Sequence, residues 1–252
     1  MAAGKSSPDG APSFKVANGV ATVRFERPHE GNRIDPDDIP VLRAHVERAA
    51  VDASIRVVVF TGAGTKTFSS GFTIEAILGR LDRSFEELLD AIEQLPMPTI
   101  AAINGGVYGG ATDLALCCDI RIGVKETRMF MPAARFGLHY YPGGLRRYVA
   151  AMGPAQAKRL FLTGQTLSAE AMLRIGFLTD CVPRSRLQRT VTEYLAAITA
   201  GEPTVQRTMK RQLDAIAAGE AEEAASRAAY EASLASPELR RRLSVLARKR
   251  RR

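Results

Sequence analysis

Apolar and polar residues alternate through residues 14–26 (FKVANGVATVRFE), with Asn18-Gly19 in the middle of the run. Period-two alternation around an Asn-Gly pair predicts a β-hairpin closed by a two-residue turn. Over residues 36–53 the apolar positions move to helical spacing, with Ile39, Leu42, Val46 and Ala50 falling on one face. Residues 55–61 (IRVVVFT) form a short β-branched run that does not alternate. That is the pattern of a parallel strand covered on both faces. A helix is predicted over 73–94, closed by Pro96 and Pro98, followed by a strand over 99–103, a helix over 109–118 and a strand over 119–124. Beyond Pro154 the pattern is helical: 155–162, 168–175, 187–200, 204–218 and a charged stretch to the end. Ser168 in LSAE is the expected cap of the second of these.

Helices and buried strands in alternation predict an α/β core with right-handed crossovers. We place that core at residues 14–200, after a loose tail at 1–13 and before a helical C-terminal region with a basic tail at 201–252. Composition leaves this picture unchanged: 252 residues, 46% hydrophobic and 25% charged, suit a globular chain. No apolar run is long enough to span a bilayer, and the N-terminal stretch lacks the apolar segment of a signal peptide. Three cysteines fit neither a disulfide framework nor a zinc site, so a reducing, cytoplasmic setting without a metal is expected. The net charge of +8 is concentrated in PELRRRLSVLARKRRR, beside which there is neither a nucleic-acid motif nor an aromatic platform. A solvated helix is expected there, with no nucleic-acid or membrane partner.

Chemistry is expected where buried strands hand over to helices. Two glycine-bearing junctions qualify, TFSSGFTIEAI at 67–77 and INGGVYGGATDLALCCD at 103–119. At the second, Gly109-Gly110 opens a helix, so unpaired N–H groups face the space before it and suit an anion or a developing oxyanion. A phosphate loop is the rival, but GxxxxGK[ST] is missing, and no GxGxxG stands at a suitable strand end.

The stretches GVATVRFERP, ASIRVVVFTGAG, FSSGFTIEAI, MPTIAAINGGVYGGATDLALCCDIRIG, FGLHYYPGGLRRYVAAMG and LTGQTLSAEAMLRIGFLTDCVP occur in this order. Together they resemble the enoyl-CoA hydratase/isomerase (crotonase) superfamily over nearly the whole chain. The resemblance implies a crotonase-like α/β fold of repeated ββα units with a helical C-terminal region, assembled as a homotrimer or a dimer of trimers. It implies an acyl-CoA ligand, with coenzyme A as part of the substrate and no separate cofactor. Arginines near the site entrance would then attract the coenzyme A phosphates. The thioester oxygen would accept hydrogen bonds from the N–H groups of Phe72 and Gly110. Ser70, Thr73 and Ile74 would fall on the wall of the coenzyme A pocket, and His139 beside the acyl group.

Hydratases of the family use two glutamates. By the resemblance these fall on Asp113, one methylene shorter, and on Ala133, which cannot transfer a proton. Tyr140 and the GGA of NGGVYGGATDL are similar to the methylmalonyl-CoA decarboxylase branch, where a tyrosine lies near the carboxylate that leaves. Asp113 and Tyr140 are therefore the candidate catalytic residues. Three functions stay open: a lyase or isomerase acting through an enolate, a decarboxylase of a malonyl-type thioester, and an acyl-CoA binder without catalysis. His29 and His45 have no partner in the pattern, and Cys117 and Cys118 are expected in the core.

Overall fold

A computed structural model describes residues 10–249. The first nine residues of the expected tail and the last three of the basic end lie outside the described residues. The chain forms two compact units, dividing after Gly201.

In the first unit, β1 (Ser13–Ala17) and β2 (Val20–Phe25) make the expected hairpin, with Asn18 and Gly19 both at positive φ as the tight turn requires. There follow α1 (Asp38–Val51), β3 (Val57–Gly62), β4 (Thr67–Ser69), a single helical turn α2 (Ile77–Arg80), α3 (Arg83–Glu93), β5 (Thr99–Ile103) and β6 (Gly106–Tyr108). Next come α4 (Gly110–Leu116), β7 (Ile120–Val124), β8 (Arg128–Phe130), α5 (Pro142–Thr163), β9 (Leu167–Ser168), α6 (Ala169–Arg174), β10 (Asp180–Val182) and α7 (Leu187–Ala200). Six strands in the order β1-β2-β3-β5-β7-β10 form one sheet, parallel apart from the hairpin; β4-β6-β8-β9 form a second. This mixed architecture is the expected α/β class.

The larger sheet is covered on both faces, which explains why its strands read as continuous apolar runs. Val58 and Phe60 of β3 join the main core, while Val57 and Val59 turn to the opposite face and pack with Ile100, Ile122 and, from α7, Val191 and Ile198. Each such aliphatic side chain, fully buried, contributes roughly 1.5–3 kcal/mol.

Two expectations need correction. The helix predicted over 73–94 is broken. A 3-10 turn (Ile74–Ala76) and α2 give way at Gly79, which takes φ 93°, and α3 starts afresh where the Asp82 carboxylate accepts the Ser84 N–H at 2.8 Å. The helix predicted over 155–162 is the second half of α5, which begins at Pro142 and is interrupted at Gly153 (φ 74°). Pro142 opens α5, since proline suits the first turn of a helix, where its missing N–H costs nothing. Ser168 caps α6 as expected, accepting the Ala171 N–H.

The second unit contains α8 (Pro203–Ala218), α9 (Glu223–Ala235) and α10 (Pro237–Lys249). Val205, Met209, Leu213 and Ile216 stand exposed along α8. Among the described residues no helix is long and apolar enough to cross a membrane.

Candidate active site

The two glycine junctions meet in space. Beyond β4 the chain turns at Gly71, whose φ is 84°. A Cβ at this position would lie 2.7 Å from the Gly110 N and 2.7 Å from the Tyr108 carbonyl oxygen, so only glycine allows the segments to approach. Phe72 forms an isolated parallel bridge with Ile34. Its bonds run from the Ile34 N–H to the Gly71 carbonyl (2.8 Å) and from the Thr73 N–H to the Ile34 carbonyl (3.0 Å). In such a bridge the flanking residues carry the hydrogen bonds, which leaves the Phe72 N–H pointing away from Ile34.

Gly109 adopts φ 53°, ψ −131°, with its N–H on the Phe130 carbonyl at 3.1 Å, and so sets the start of α4 at Gly110. As the first residue of a helix, Gly110 has no carbonyl to bond within it. Among the described residues, neither the Phe72 nor the Gly110 N–H has a hydrogen-bond acceptor.

Both residues line one cavity of about 230 Å³. Its wall is mostly apolar: Ile77, Leu81, Phe85, Phe130, Met131, Ala133 and Leu138, with Ser70, Tyr108, His139, Tyr140 and Tyr141 as the polar exceptions. Phe72 stacks edge-on against Phe85, with ring centroids 5.5 Å apart. Of the residues expected at a substrate wall, Ser70 lines the cavity, half-buried. Ile74 lines it while 61% exposed, which puts it at the mouth, and His139 is an exposed residue of the same rim. Thr73 is turned elsewhere: its hydroxyl donates to the Asp35 carboxylate, with the Ile34 carbonyl 3.3 Å away. No aspartate or glutamate is among the cavity-lining residues.

Asp113 lies one turn into α4, fully buried, and is not a free carboxylate. The Arg147 guanidinium grips it as a fork, Nε to Oδ1 at 2.8 Å and Nη2 to Oδ2 at 3.1 Å. The Tyr141 hydroxyl donates to Oδ2 as well, and the Tyr140 hydroxyl stands 3.4 Å from it. Arg147 Nη1 continues outward to Asp90 (2.8 Å) and Glu93 (2.9 Å), and Arg146 also binds Glu93. Neighbouring Tyr148 hydrogen-bonds Thr112 of α4.

Burial, followed by the nearby Asp113 charge, pushes the phenols of Tyr140, Tyr141 and Tyr148 well above the ordinary tyrosine range. They remain neutral donors throughout the physiological range. A pKa raised in the folded state stabilises fully below the unfolded value, about 10, and the stabilisation is lost as pH rises past it. Denaturant midpoints between pH 8 and 12 should thus hold to about pH 10 and then fall, by roughly 1.4 kcal/mol per pH unit for each phenol kept protonated. A flat profile to pH 12 would refute the assignment.

Arg147 is a functional candidate that the sequence does not single out, and Tyr141 joins Tyr140 beside it. A signal existed for Arg147: Gly144, Arg147, Tyr148 and Met152 share the buried phase of α5. An arginine in such a stripe demands a carboxylate partner. Cys117 and Cys118 are buried, and burial, then Asp113, raises the Cys117 thiol pKa, so it packs rather than attacks. Among the described residues no group of three or more His, Cys, Asp or Glu is placed to hold a metal.

The sequence matches the family model for enoyl-CoA hydratase/isomerase over residues 15–238. A short-chain-enoyl-CoA hydratase of Clostridium acetobutylicum is 31% identical over 191 residues, covering 73% of each chain. An (E)-benzylidenesuccinyl-CoA hydratase of Thauera aromatica is 32% identical over 198 residues, which is 76% of this chain and 77% of the relative. Among solved structures, an enoyl-CoA hydratase from Bacillus anthracis aligns with a TM-score of 0.83 at 25% identity, over 94% of this chain and 96% of that one.

Proposed function

The chain belongs to the enoyl-CoA hydratase/isomerase (crotonase) family, and from that premise we propose that it binds an acyl-CoA thioester and stabilises its enolate. The observation that carries this reading is the pair of N–H groups, on Phe72 and Gly110, left without acceptors at the wall of an apolar cavity. The thioester oxygen accepts both bonds. As electron density moves onto that oxygen the bonds strengthen, and each preorganised donor is worth about 2.7–4 kcal/mol. The apolar wall excludes water and seats the acyl chain, while coenzyme A enters as part of the substrate. Ser70, Ile74 and His139 border its path.

The reaction is of the lyase or isomerase type. Hydration by two carboxylates finds little support, since Ala133 lines the cavity and Asp113 is held by Arg147 and Tyr141. The same observation favours a second reading, decarboxylation of a malonyl-type thioester. Loss of carbon dioxide generates the enolate directly and needs no carboxylate base, and Tyr140 supplies a neutral hydrogen bond to the acyl group. The third reading is an acyl-CoA binder that has kept the two donors and lost the acid/base pair.

One preparation tests all three. Loss of the enoyl-thioester absorbance with trans-2-enoyl-CoA substrates supports the first, and carbon dioxide release from methylmalonyl-CoA the second. Saturable acyl-CoA binding without turnover across the panel supports the third, and no acyl-CoA binding at all sinks the proposal. The exposed apolar residues of α8 support assembly as a homotrimer or a pair of trimers. Light scattering on that preparation should return a mass of three or six copies.

A further inference from the structure

Arg147 is only 3% exposed and does not line the cavity that Phe72 and Gly110 share. Four of its five N–H donors are committed, two to Asp113 and two outward to Asp90 and Glu93 of α3. The inward pair holds the Asp113 carboxylate in one orientation, and Oδ2 of that carboxylate accepts the hydrogen bond of the Tyr141 hydroxyl. With its proton spent, the Tyr141 oxygen can only accept, and it faces the Tyr140 hydroxyl at 3.2 Å. Tyr140 therefore has two acceptors, Tyr141 at 3.2 Å and Asp113 at 3.4 Å, both long. Its proton is the least tightly held in the chain of bonds, and Tyr140 lines the cavity. Gly144 closes the arrangement: a Cβ there would collide with the Tyr140 ring at 2.2 Å and approach Asp113 Oδ2 at 2.9 Å.

We propose that Arg147 is a positioning residue which, through Asp113 and Tyr141, aims the Tyr140 hydroxyl at an oxygen substituent on the acyl group. This rests on the acyl-CoA reading above. It assigns Asp113 the role of a fixed, ionised anchor in place of a reacting base, and it narrows the substrate to acyl thioesters with a hydrogen-bond acceptor beyond the thioester carbonyl. No covalent step is involved, and the phenol keeps its proton. The charged and titratable groups facing the pair are Asp113 of α4 and Cys117 just after it, Arg146, Arg147 and Tyr148 of α5, and Asp90 and Glu93 of α3.

Calorimetric binding of two thioesters, butyryl-CoA and 3-hydroxybutyryl-CoA, tests the proposal. The wild-type chain should prefer the hydroxylated thioester by roughly tenfold, the worth of one hydrogen bond. Tyr140→Phe should bring the ratio to about one. Arg147→Lys and Tyr141→Phe should lower it several-fold, the loss falling mainly on 3-hydroxybutyryl-CoA. A merely structural role for Arg147 would weaken both thioesters together, and that result would overturn the proposal. So would equal wild-type affinity for the two, with the acyl-CoA reading intact. Binding of neither thioester would overturn both. Tyr141→Phe removes one hydroxyl and no charge, so the test stands even where Arg147→Lys fails to fold.

Discussion

Gly110→Pro is expected to lower turnover of any acyl-CoA substrate by about 10²–10³-fold, because it deletes one of the two N–H groups at the cavity. Proline fits the first turn of a helix, so α4 itself tolerates the change. Sterics add a second effect: a Cβ at 110 would sit 2.8 Å from the end of the Phe85 ring. Gly110→Ala separates the two, since it brings the same Cβ and keeps the N–H. The fall in kcat from alanine to proline measures loss of the donor together with the ring Cδ that takes the place of its hydrogen. Equal activity in the two variants, both folded by circular dichroism, would remove Gly110 from the site. Where no turnover exists, the affinity for a saturated acyl-CoA should show the same order.

The second large effect concerns stability. Arg147→Met leaves the Asp113 carboxylate buried without its cation, and breaking such a pair costs about 3–5 kcal/mol. For a chain of this length that corresponds to a fall in Tm of roughly 10 °C. Adding Asp113→Asn to Arg147→Met should restore most of the loss, because the uncompensated charge is then gone. Thermal unfolding of the wild type, the single and the double variant checks this. A single variant as stable as the wild type would mean that Asp113 finds another partner. The pair contributes little net stability compared with a well-packed apolar pair, so its presence fits a positioning role better than a structural one.

Much of the fold was legible in the chain. The Asn18-Gly19 hairpin, the buried strands β3, β5 and β7, and α1 and α7 follow from periodicity and punctuation, because each is long and its core face is marked. The second sheet was not legible. Strands of two or three residues such as β4, β6, β8 and β9 carry no period, and only their pairing defines them. Gly79, inside an apparently continuous apolar stripe, broke a predicted helix for a backbone reason that side-chain pattern does not express.

At the site the division follows the same physics. Local rules are written in sequence: glycine where φ must be positive, an orphan N–H at a helix start, and apolar residues around a ligand. These lead from the residues alone to the Gly109-Gly110 junction, and the family resemblance implies Phe72 and Gly110 as the donors. What the sequence could not express is who pairs with whom across distance. Asp113 and Arg147 are 34 positions apart, and Asp90 and Arg147 are 57 apart. A carboxylate on a first helical turn reads equally well as a base or as an anchor. Only the packing of α5 against α3 and α4 puts Arg147 and Tyr141 on it, because a buried charge takes the partner that folding brings, whatever its place in the chain.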